Sequence, residues 1–463
     1  MLGLTVAEAA RRLGAGLRGD GGRKIARVIT DSRGLGPGDL FVALPGARTD
    51  GHRFLAEAAA AGAAAALVQP DRGERPPDLP VIVVEDTLAA LGELARFHLG
   101  RLGCPVFGIT GSVGKTSAKD FLAQLLGGPA AGVHAAPASY NSEVGLPLAV
   151  LAAPLGSRFL VLEYGVNAPG EMARLLAVAR PRHAWITALA PVHLEGMGDF
   201  ETVVAEKTRL AAAVGEGGWV WSTPEVFAVA ARFYRAWPAR SRLAGLDGED
   251  GGRVLDPRPG AFRVELPGLG PLRLPVVARH EAELAAVAAA IALDLGVPAE
   301  ELRARLQDLR RPPGRLAVHE FGPIEVLDDA YNSSPAALEA ALDVVRAWPR
   351  RRRRLAVLGT MHELGADSEE LHRSAGASAG RCCDAVLGIG PGGEWIAEGA
   401  RALGCRRVET AADPAAAERL LPELLGDDTL VLLKASRAVG LDRLVPVLAR
   451  LAAELGPPRE EGA

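Results

Sequence analysis

Residues 105–117 of the chain read Pro105-Val106-Phe107-Gly108-Ile109-Thr110-Gly111-Ser112-Val113-Gly114-Lys115-Thr116-Ser117. The apolar start predicts a buried strand, and apolar residues with the spacing of one helix face follow at positions 118, 121, 122 and 125. A glycine-rich turn between a strand and a helix lets backbone N–H groups and the helix N-terminus converge on phosphate oxygens. The stretch therefore predicts an α/β fold whose central part binds a nucleotide.

Individual positions of this loop have separate expected roles. Lys115 would reach the β- and γ-phosphates, and the Thr116 hydroxyl would coordinate Mg²⁺. The strict form of the motif has glycine where Ile109 stands, so this is a variant loop with its glycine at Gly111. The residues expected to contact ATP here are Thr110, Gly111, Ser112, Val113, Gly114, Lys115, Thr116 and Ser117.

A carboxylate follows the next apolar run of the central part. Residues 158–162 predict a strand, and Glu163 comes directly after it. Open α/β sheets place ligand groups at the carboxyl ends of their strands. Mg²⁺ is usually held by one or two carboxylates together with phosphate and water. Glu163 is therefore a candidate metal ligand.

Length and composition limit the class of protein. A chain of 463 residues predicts about three domains, and 49% hydrophobic with 23% charged residues is ordinary for a soluble globular protein. A net charge of -4 argues against nucleic-acid binding, and no apolar run approaches the ~20 residues that span a bilayer. The four cysteines have neither metal-ligand spacing nor a disulfide pattern, which favours a cytoplasmic location.

The chain divides into three α/β blocks at breaks rich in proline and glycine. We place them at residues 1–100, 101–314 and 315–463. Strand-like runs alternate with helical stretches in each block, which predicts parallel sheets built from βαβ units. The arginine run 350–354 is interpreted as a solvated connection, and the tail 456–463 as frayed.

The chain uses very few lysines. They occur only at positions 24, 115, 119, 207 and 434, and the other members of the 52 basic residues are arginines. A retained lysine is enriched for tasks that a guanidinium cannot perform, such as reacting as a neutral amine. Lys24 and Lys119 are interpreted as chance retention. Taken alone, Lys207 favours a surface helix position and His193 a structural role.

Taken together, these residues resemble the Mur ligase family over nearly the whole chain. Blocks of the second and third parts that carry the resemblance, besides the phosphate loop, are Glu163-Tyr164-Gly165-Val166-Asn167-Ala168-Pro169-Gly170-Glu171, Val192-His193-Leu194-Glu195, Ala205-Glu206-Lys207, Asp328-Asp329-Ala330-Tyr331-Asn332-Ser333-Ser334-Pro335, Leu358-Gly359-Thr360-Met361-His362-Glu363-Leu364-Gly365 and Lys434-Ala435-Ser436-Arg437. Those of the first part are Thr30-Asp31-Ser32-Arg33, Pro37-Gly38-Asp39-Leu40-Phe41 and Asp50-Gly51-His52.

The resemblance implies a cytoplasmic enzyme that extends the peptide stem of peptidoglycan precursors. The most similar branch joins D-alanyl-D-alanine to UDP-N-acetylmuramoyl-tripeptide, with ATP activating the carboxylate as an acyl phosphate. Two Mg²⁺ ions are implied, one held by Thr116 and Glu163, the other supported by His193 and carbamylated Lys207. The catalytic residues implied are Lys115, Glu163, His193 and Lys207.

The same resemblance implies the fold and the remaining contacts. We expect an N-terminal UDP-binding α/β module, a central P-loop domain with a mostly parallel sheet, and a C-terminal Rossmann-like α/β domain. Further nucleotide contacts would come from His280, Arg315, Asp329 and Asn332, and substrate contacts from Ser32, Arg33 and Asn141. The two substrates are the expected partners; neither nucleic acid nor membrane insertion is expected, and the chain is expected to be a monomer.

Several positions depart from the pattern of this branch. Glu281 and Leu284 stand where asparagines are usual, and Thr360 replaces a usual aspartate. The second asparagine commonly contacts adenine, so adenine recognition is expected to differ. Two alternatives stay open: the branch that adds the third residue of the stem, and a non-catalytic nucleotide-binding protein. The Asp-Asn-Pro-Arg sequence typical of the former is absent.

Overall fold

A computed structural model describes residues 3–46, 49–233, 240–246, 251–348 and 353–456 of the chain. Positions 350–352 of the arginine run lie outside these residues, as does the tail beyond residue 456. The architecture is α/β throughout, with strands and helices alternating along most of the chain.

The N-terminal part has a five-stranded sheet in the order β2-β7-β6-β5-β4, parallel except for the β2–β7 pair, and a two-stranded β1–β3 pair. Its elements are β1 (Leu4–Thr5), α1 (Val6–Arg12), β2 (Gly16–Arg18), β3 (Lys24–Ile25), β4 (Val28–Ile29), β5 (Leu40–Val42), α2 (Leu55–Ala60), β6 (Ala65–Val68), β7 (Val81–Val83) and α3 (Thr87–Leu102). Asp86 caps α3, and the predicted domain boundary after residue 100 falls in its last turn.

The central part has a six-stranded, fully parallel sheet in the order β13-β12-β11-β8-β10-β9. Its elements are β8 (Val106–Thr110), α4 (Lys115–Leu125), β9 (Val133–Ala135), α5 (Gly145–Ala152), β10 (Phe159–Glu163), α6 (Glu171–Val178), β11 (His183–Ile186), α7 (Leu194–Met197), α8 (Phe200–Ala212), β12 (Val220–Ser222), α9 (Pro224–Phe233), β13 (Ser241–Leu243), β14 (Arg253–Asp256), β15 (Phe262–Leu266), β16 (Gly270–Leu274), α10 (Arg279–Asp294) and α11 (Ala299–Gln307). The strand and helix predicted on either side of the phosphate loop are confirmed.

One sheet of the central part was not predicted. Strands β14, β15 and β16 form an antiparallel meander instead of a βαβ unit. The connections between them run only through residues 257–261 and 267–269, which are too short for the crossover that parallel pairing requires.

The C-terminal part has a six-stranded sheet in the order β17-β18-β22-β19-β20-β21, parallel except for the β17–β18 pair. Its elements are β17 (Ala317–Phe321), β18 (Ile324–Asp328), α12 (Pro335–Ala347), β19 (Arg353–Gly359), α13 (Ser368–Gly380), β20 (Ala385–Ile389), α14 (Gly390–Ala402), β21 (Arg407–Ala411), α15 (Pro414–Leu424), β22 (Thr429–Lys434) and α16 (Leu444–Leu455). Ser334 caps α12, and Pro335 takes its first position, where the missing N–H of proline costs no helical hydrogen bond.

Apolar contacts join the three parts. Leu91 of α3 and Val150 of α5 belong to one buried cluster that continues from the first sheet into the central one. Val277 and Ala278, just before α10, are buried in a cluster formed otherwise by the C-terminal part, including Leu342 of α12. The carboxyl end of the central sheet, where the phosphate loop lies, is therefore close to the C-terminal domain.

Candidate active site

The phosphate loop has two positions that only glycine suits. Gly111 has φ 154°, and a Cβ there would lie 2.1 Å from the Thr187 hydroxyl oxygen. Gly114 has φ 82°, at the N-cap of α4, where a Cβ would come within 3.2 Å of Leu284. Because left-handed backbone is unfavourable for residues with a Cβ, the loop requires both glycines.

Side chains around the loop hold its backbone in place. The Ser112 hydroxyl donates to the carbonyl of Ala190 (2.8 Å) and accepts from its N–H (2.9 Å). Thr187, at the end of β11, donates its hydroxyl to the carbonyl of Val113 (2.5 Å). The loop is therefore fixed to the segment that follows β11.

Lys115 begins α4, with Ser117 in the same first turn. The Lys115 ammonium donates to the carbonyl of Gly111 at 2.9 Å. Burial lowers the pKa of Lys115, while the nearby charge of Glu163 raises it and that of Arg315 lowers it. The Lys115 amine is therefore close to two charged groups, the Glu163 carboxylate of the central domain and the guanidinium of Arg315 on the linker into the C-terminal domain.

Glu163 ends β10 and is 1% exposed. One carboxylate oxygen accepts from the Thr116 hydroxyl (2.9 Å), and the other accepts from the Asn141 amide (2.7 Å). The hydroxyl of Ser139 shares a hydrogen bond of 2.9 Å with that of Thr116. The structure thus brings Thr116 and Glu163 together as predicted. It also shows Asn141 in hydrogen-bond contact with the Glu163 carboxylate.

The strand that ends at Glu163 is tied to the loop from the other side. The Thr110 hydroxyl donates to the carbonyl of Tyr164 at 2.8 Å. Glu163 pairs with Ile109 in the parallel register of β10 and β8. Because parallel strands end at one edge of the sheet, the loop and the carboxylate are held at a fixed separation.

Lys207 lies on α8 and is fully buried. Its amine has no hydrogen-bond partner among the residues that the structure describes. Burial lowers its pKa well below the usual value; the charge of Lys115 lowers it further, and Glu206 and Glu171 oppose the shift. The neighbouring Glu206 accepts instead from the Met172 N–H at 2.8 Å. Lys207 is therefore a buried, readily deprotonated amine and not a surface lysine.

His193 precedes α7 and has a left-handed backbone, with φ 55°. Its Nδ1 lies 2.6 Å from Oε2 of Glu363, a residue of the C-terminal domain. Burial lowers the pKa of His193, the carboxylate of Glu363 raises it, and the charges of Lys115 and Lys207 lower it. His193 is therefore close enough to Lys115 and Lys207 for their charges to lower its pKa.

Asp329 and Asn332 follow β18 of the C-terminal domain. The Lys434 ammonium donates to the Asp329 carboxylate and to the Asn332 carbonyl, the latter at 3.1 Å. Lys434 and Asp329 are both buried. This ion pair fixes the loop that carries the two predicted nucleotide contacts.

Arg315 lies on the linker into the C-terminal domain. Its guanidinium carbon is 4.2 Å from the centroid of the Tyr331 ring, and that of Arg437 is 4.7 Å from the same centroid. Such cation–π contacts orient a guanidinium without neutralising it. Arg315 is therefore oriented by Tyr331, close enough to Lys115 to lower the pKa of that amine.

His280 lies in the first turn of α10 and lines a cavity of about 790 Å³. Thr187 and Ala190, which hold the phosphate loop, line the same cavity, and Val344 of α12 closes it from the C-terminal domain. Leu284 packs against Gly114 of the loop. His280 is thus near the loop, in a cleft between the two domains.

Ser32 and Arg33 form one turn of 3-10 helix at residues 32–34. Arg33 is exposed and pairs with Asp31 at 2.6 Å, which lowers the pKa of that carboxyl to about 2. The hydrogen bonds described for these two residues stay within residues 31–35. They do not join the central cluster.

Sequence reasoning missed two contributors. Lys119 was interpreted as chance retention, but it is 1% exposed and donates to the carbonyls of Ala136 and Ala138, the latter at 2.8 Å. Its position one turn after Lys115 was the available signal. Glu363 was quoted only as part of a motif, and nothing local in the sequence indicates that it reaches His193.

Within the described ranges, no group of three or more His, Cys, Asp and Glu side chains is arranged to hold a metal ion. All four cysteines are free thiols. No helix in the described part of the chain has both the length and the apolar character needed to cross a membrane.

Family models match the chain in three segments. The Mur ligase family catalytic domain matches residues 24–98, the Mur ligase middle domain 109–232, and the Mur ligase glutamate ligase domain 314–437. This chain belongs to the Mur ligase family. The ligase is 31% identical to the UDP-N-acetylmuramoyl-tripeptide–D-alanyl-D-alanine ligase of Bacillus subtilis, over 90% of this chain and 92% of the relative. The corresponding Escherichia coli enzyme is 32% identical, over 91% and 93%.

Solved structures agree with this assignment. MurF from Acinetobacter baumannii superposes on the ligase with a TM-score of 0.82 at 25% identity, covering 97% of this chain and 99% of that one. MurF ligase from Thermotoga maritima in complex with ADP gives 0.77 at 28% identity, covering 92% and 98%. The predicted α/β class and three-domain Mur ligase architecture are therefore confirmed.

Proposed function

We propose that this ligase joins D-alanyl-D-alanine to UDP-N-acetylmuramoyl-tripeptide in an ATP-dependent reaction of peptidoglycan precursor synthesis. The names of its relatives support this substrate pair. The observation that carries the proposal is the single cluster at the end of the central sheet, where Thr116 bonds Glu163 and where the charges of Lys115, His193 and Lys207 affect one another.

The reaction needs a carboxylate made electrophilic. Transfer of the γ-phosphoryl group of ATP to the tripeptide carboxylate gives an acyl phosphate, and the dipeptide amine then displaces phosphate to form the amide. Such transfer depends mainly on positioning and charge neutralisation. Lys115 and the backbone of residues 110–117 would hold the phosphates. Arg315, already close to Lys115, would add positive charge from the C-terminal domain.

Two Mg²⁺ ions are proposed, and the side chains at the site suit them. Bound there, they would neutralise charge on the transferred phosphoryl group. The Thr116 hydroxyl and the Glu163 carboxylate, 2.9 Å apart, are oxygen donors of the kind Mg²⁺ prefers. Asn141 would hold the orientation of Glu163 through its amide; its predicted contact with substrate stays a prediction.

The second ion would be supported by His193 and by a carbamate on Lys207. A carbamate forms when a neutral amine adds to CO₂ and releases a proton, so it requires an amine of lowered pKa. Lys207 meets that requirement, and its buried nitrogen has no described partner. A carbamate there would offer a metal two oxygens that share one negative charge.

The domains divide the remaining tasks. With boundaries at 100/101 and 314/315, Ser32 and Arg33 of the first domain would contact the UDP part of the substrate. His280, Asp329 and Asn332 would contact the nucleotide across the domain cleft. We further propose that the enzyme acts as a monomer in the cytoplasm on small-molecule substrates.

Phosphate release tests this function. The protein is incubated with ATP, Mg²⁺ and UDP-N-acetylmuramoyl-tripeptide, with and without D-alanyl-D-alanine, and phosphate and the joined product are measured. We expect dipeptide-dependent release. Equal release without the dipeptide would contradict the proposal. Release that instead requires a diamino acid and the UDP-dipeptide would favour the branch that adds the third residue.

A further inference from the structure

The contact between His193 and Glu363 joins residues 170 positions apart, on two domains. Nδ1 of the imidazole lies 2.6 Å from Oε2 of the carboxylate, a short hydrogen bond. The Glu363 side chain is otherwise half exposed, whereas that of His193 is mostly covered. The carboxylate therefore reaches from the surface of one domain into the site of the other.

Both residues have unusual backbones. His193 has φ 55° and Glu363 has φ 65°, in the left-handed region that residues other than glycine rarely adopt. Non-glycine residues held in this region cluster at functional sites, where the surrounding structure fixes them. Here two such residues, one from each domain, contact each other.

Each backbone is fixed by its own domain. The His193 carbonyl accepts from the N–H groups of Gly196 (3.1 Å) and Met197 (2.9 Å), and these bonds attach His193 to the start of α7. On the other side, the N–H of His362 donates to the Ser436 hydroxyl at 2.9 Å. Both side chains are therefore presented by anchored turns, so their contact depends on how the two domains are placed.

The geometry at the ring has a specific consequence. A carboxylate on Nδ1 fixes the tautomer and the orientation of a histidine, and leaves Nε2 as the nitrogen that faces a metal. We propose that Glu363 is a positioning residue: closure of the C-terminal domain sets its carboxylate on His193, which orients the imidazole to support the second metal ion. This inference rests on the metal role proposed above for His193.

Closure and metal binding are then coupled. Because Glu363 acts on His193 only when the domains are together, closure strengthens metal binding, and by linkage metal binding favours closure. The C-terminal domain would thus complete the metal site in addition to covering it. Phosphoryl transfer would then be favoured only in the closed arrangement of the domains.

Mn²⁺ in place of Mg²⁺ provides the first test, with binding followed by electron paramagnetic resonance in the presence of ADP. Glu363→Ala should weaken one of the bound ions by about 10- to 100-fold, the usual effect of removing such a partner. Glu363→Gln keeps an acceptor for Nδ1–H and should restore part of the affinity. Glu370→Ala, which alters another exposed glutamate of the same domain, should match wild type.

Hydrogen exchange in the protein without metal or nucleotide provides the second test. Glu363→Ala should raise amide exchange in residues 191–198, and Glu370→Ala should not. Unchanged exchange in Glu363→Ala would overturn the inference, as would unchanged Mn²⁺ affinity.

His193→Ala distinguishes the metal role of His193 from the positioning role of Glu363. If it weakens the ion while Glu363→Ala does not, the positioning role is wrong and the metal role of His193 stands. If neither variant changes Mn²⁺ binding, the metal role fails and the inference fails with it. Dipeptide-dependent phosphate release reports on the overall reaction separately from both.

Discussion

Glu163 and Lys207 are both buried in the same site, but the Glu163 side chain is hydrogen-bonded and the Lys207 side chain has no described partner. Two side chains, Thr116 and Asn141, donate to the two oxygens of Glu163. The Lys207 amine has no partner among the described residues, and burial lowers its pKa well below its usual value. A polar group left unsatisfied in the interior costs free energy, so the two regions impose different energetic demands on the fold.

The region around Glu163 already has its hydrogen bonds in place. The region around Lys207 lacks them until the amine is modified or binds a ligand. Around Glu163, hydrogen bonds already fix the geometry, as electrostatic catalysis requires. Around Lys207, burial lowers the pKa of an amine that has no described hydrogen-bond partner. That is unfavourable for stability but suited to a lysine that becomes carbamylated.

The largest expected effect concerns the region around Glu163. Lys115→Ala removes the cation that the loop presents to the phosphates, so dipeptide-dependent phosphate release should fall by about 10²- to 10³-fold or more. Lys24→Ala, at an exposed lysine of the first domain, should retain wild-type activity. Activity of Lys115→Ala close to that of wild type would show that the loop is not where phosphoryl transfer occurs.

A pair of buried lysines tests the contrast directly. Lys207→Met removes a buried amine that has no described partner. Without CO₂ and metal, the free energy of unfolding of this variant should therefore rise by about 1–3 kcal/mol. Its phosphate release should fall by about 10- to 100-fold or more. Lys119→Met leaves the carbonyls of Ala136 and Ala138 without their donor and should lower that free energy by about 1–3 kcal/mol.

Urea unfolding and turnover measure both effects. Destabilisation by Lys207→Met equal to that by Lys119→Met would indicate that Lys207 has a partner in solution. Lys207→Ala activity that recovers with a short carboxylic acid would support the carbamate, whereas full activity without any addition would eliminate it.

The last prediction concerns protein stability alone, at Glu281, a buried carboxyl that has hydrogen-bond donors as Glu163 does and a shifted pKa as Lys207 does. It accepts from the N–H groups of Val277 (2.9 Å) and Ala278 (3.3 Å), yet burial raises its pKa from 4.5 to about 7. A carboxyl whose pKa is raised on folding stabilises the protein at low pH, and this contribution is lost as pH rises. The loss is up to about 1.4 kcal/mol per pH unit between the two pKa values.

Glu281→Gln keeps an acceptor for both N–H groups and removes the titration. The variant should therefore show a flatter dependence of unfolding free energy on pH between about 4.5 and 7, and should be more stable than wild type at pH 8. Glu370→Gln serves as the exposed control. Parallel pH profiles for wild type and Glu281→Gln would refute the raised pKa.

Much of the fold could be predicted because its signals are local. The buried run before Gly111 and the helical spacing after Lys115 gave β8 and α4, and the strand ending at Glu163 was equally clear. The antiparallel meander was not predicted, because an apolar strand looks alike in either pairing until the lengths of its connections are known.

Site residues divided in the same way. The pairing of Thr116 with Glu163 followed from strand ends meeting at one edge of a parallel sheet. The bond from Asn141 to Glu163 did not, because it depends on how a loop folds back and not on spacing along the chain. The burial of Lys119 was also missed, although its position one turn after Lys115 indicated it. Leu284 was noted as a departure, and its contact with Gly114 became visible only in three dimensions.

By itself, the sequence determined that a phosphate loop exists and where it lies, because a strand, two glycines with positive φ and a helix N-terminus are specified within a dozen residues. Only the tertiary structure decided that Lys207 is buried without a partner and that Glu363 reaches His193. Burial depends on every element packed around α8, and the Glu363 contact on how two separately folded domains meet.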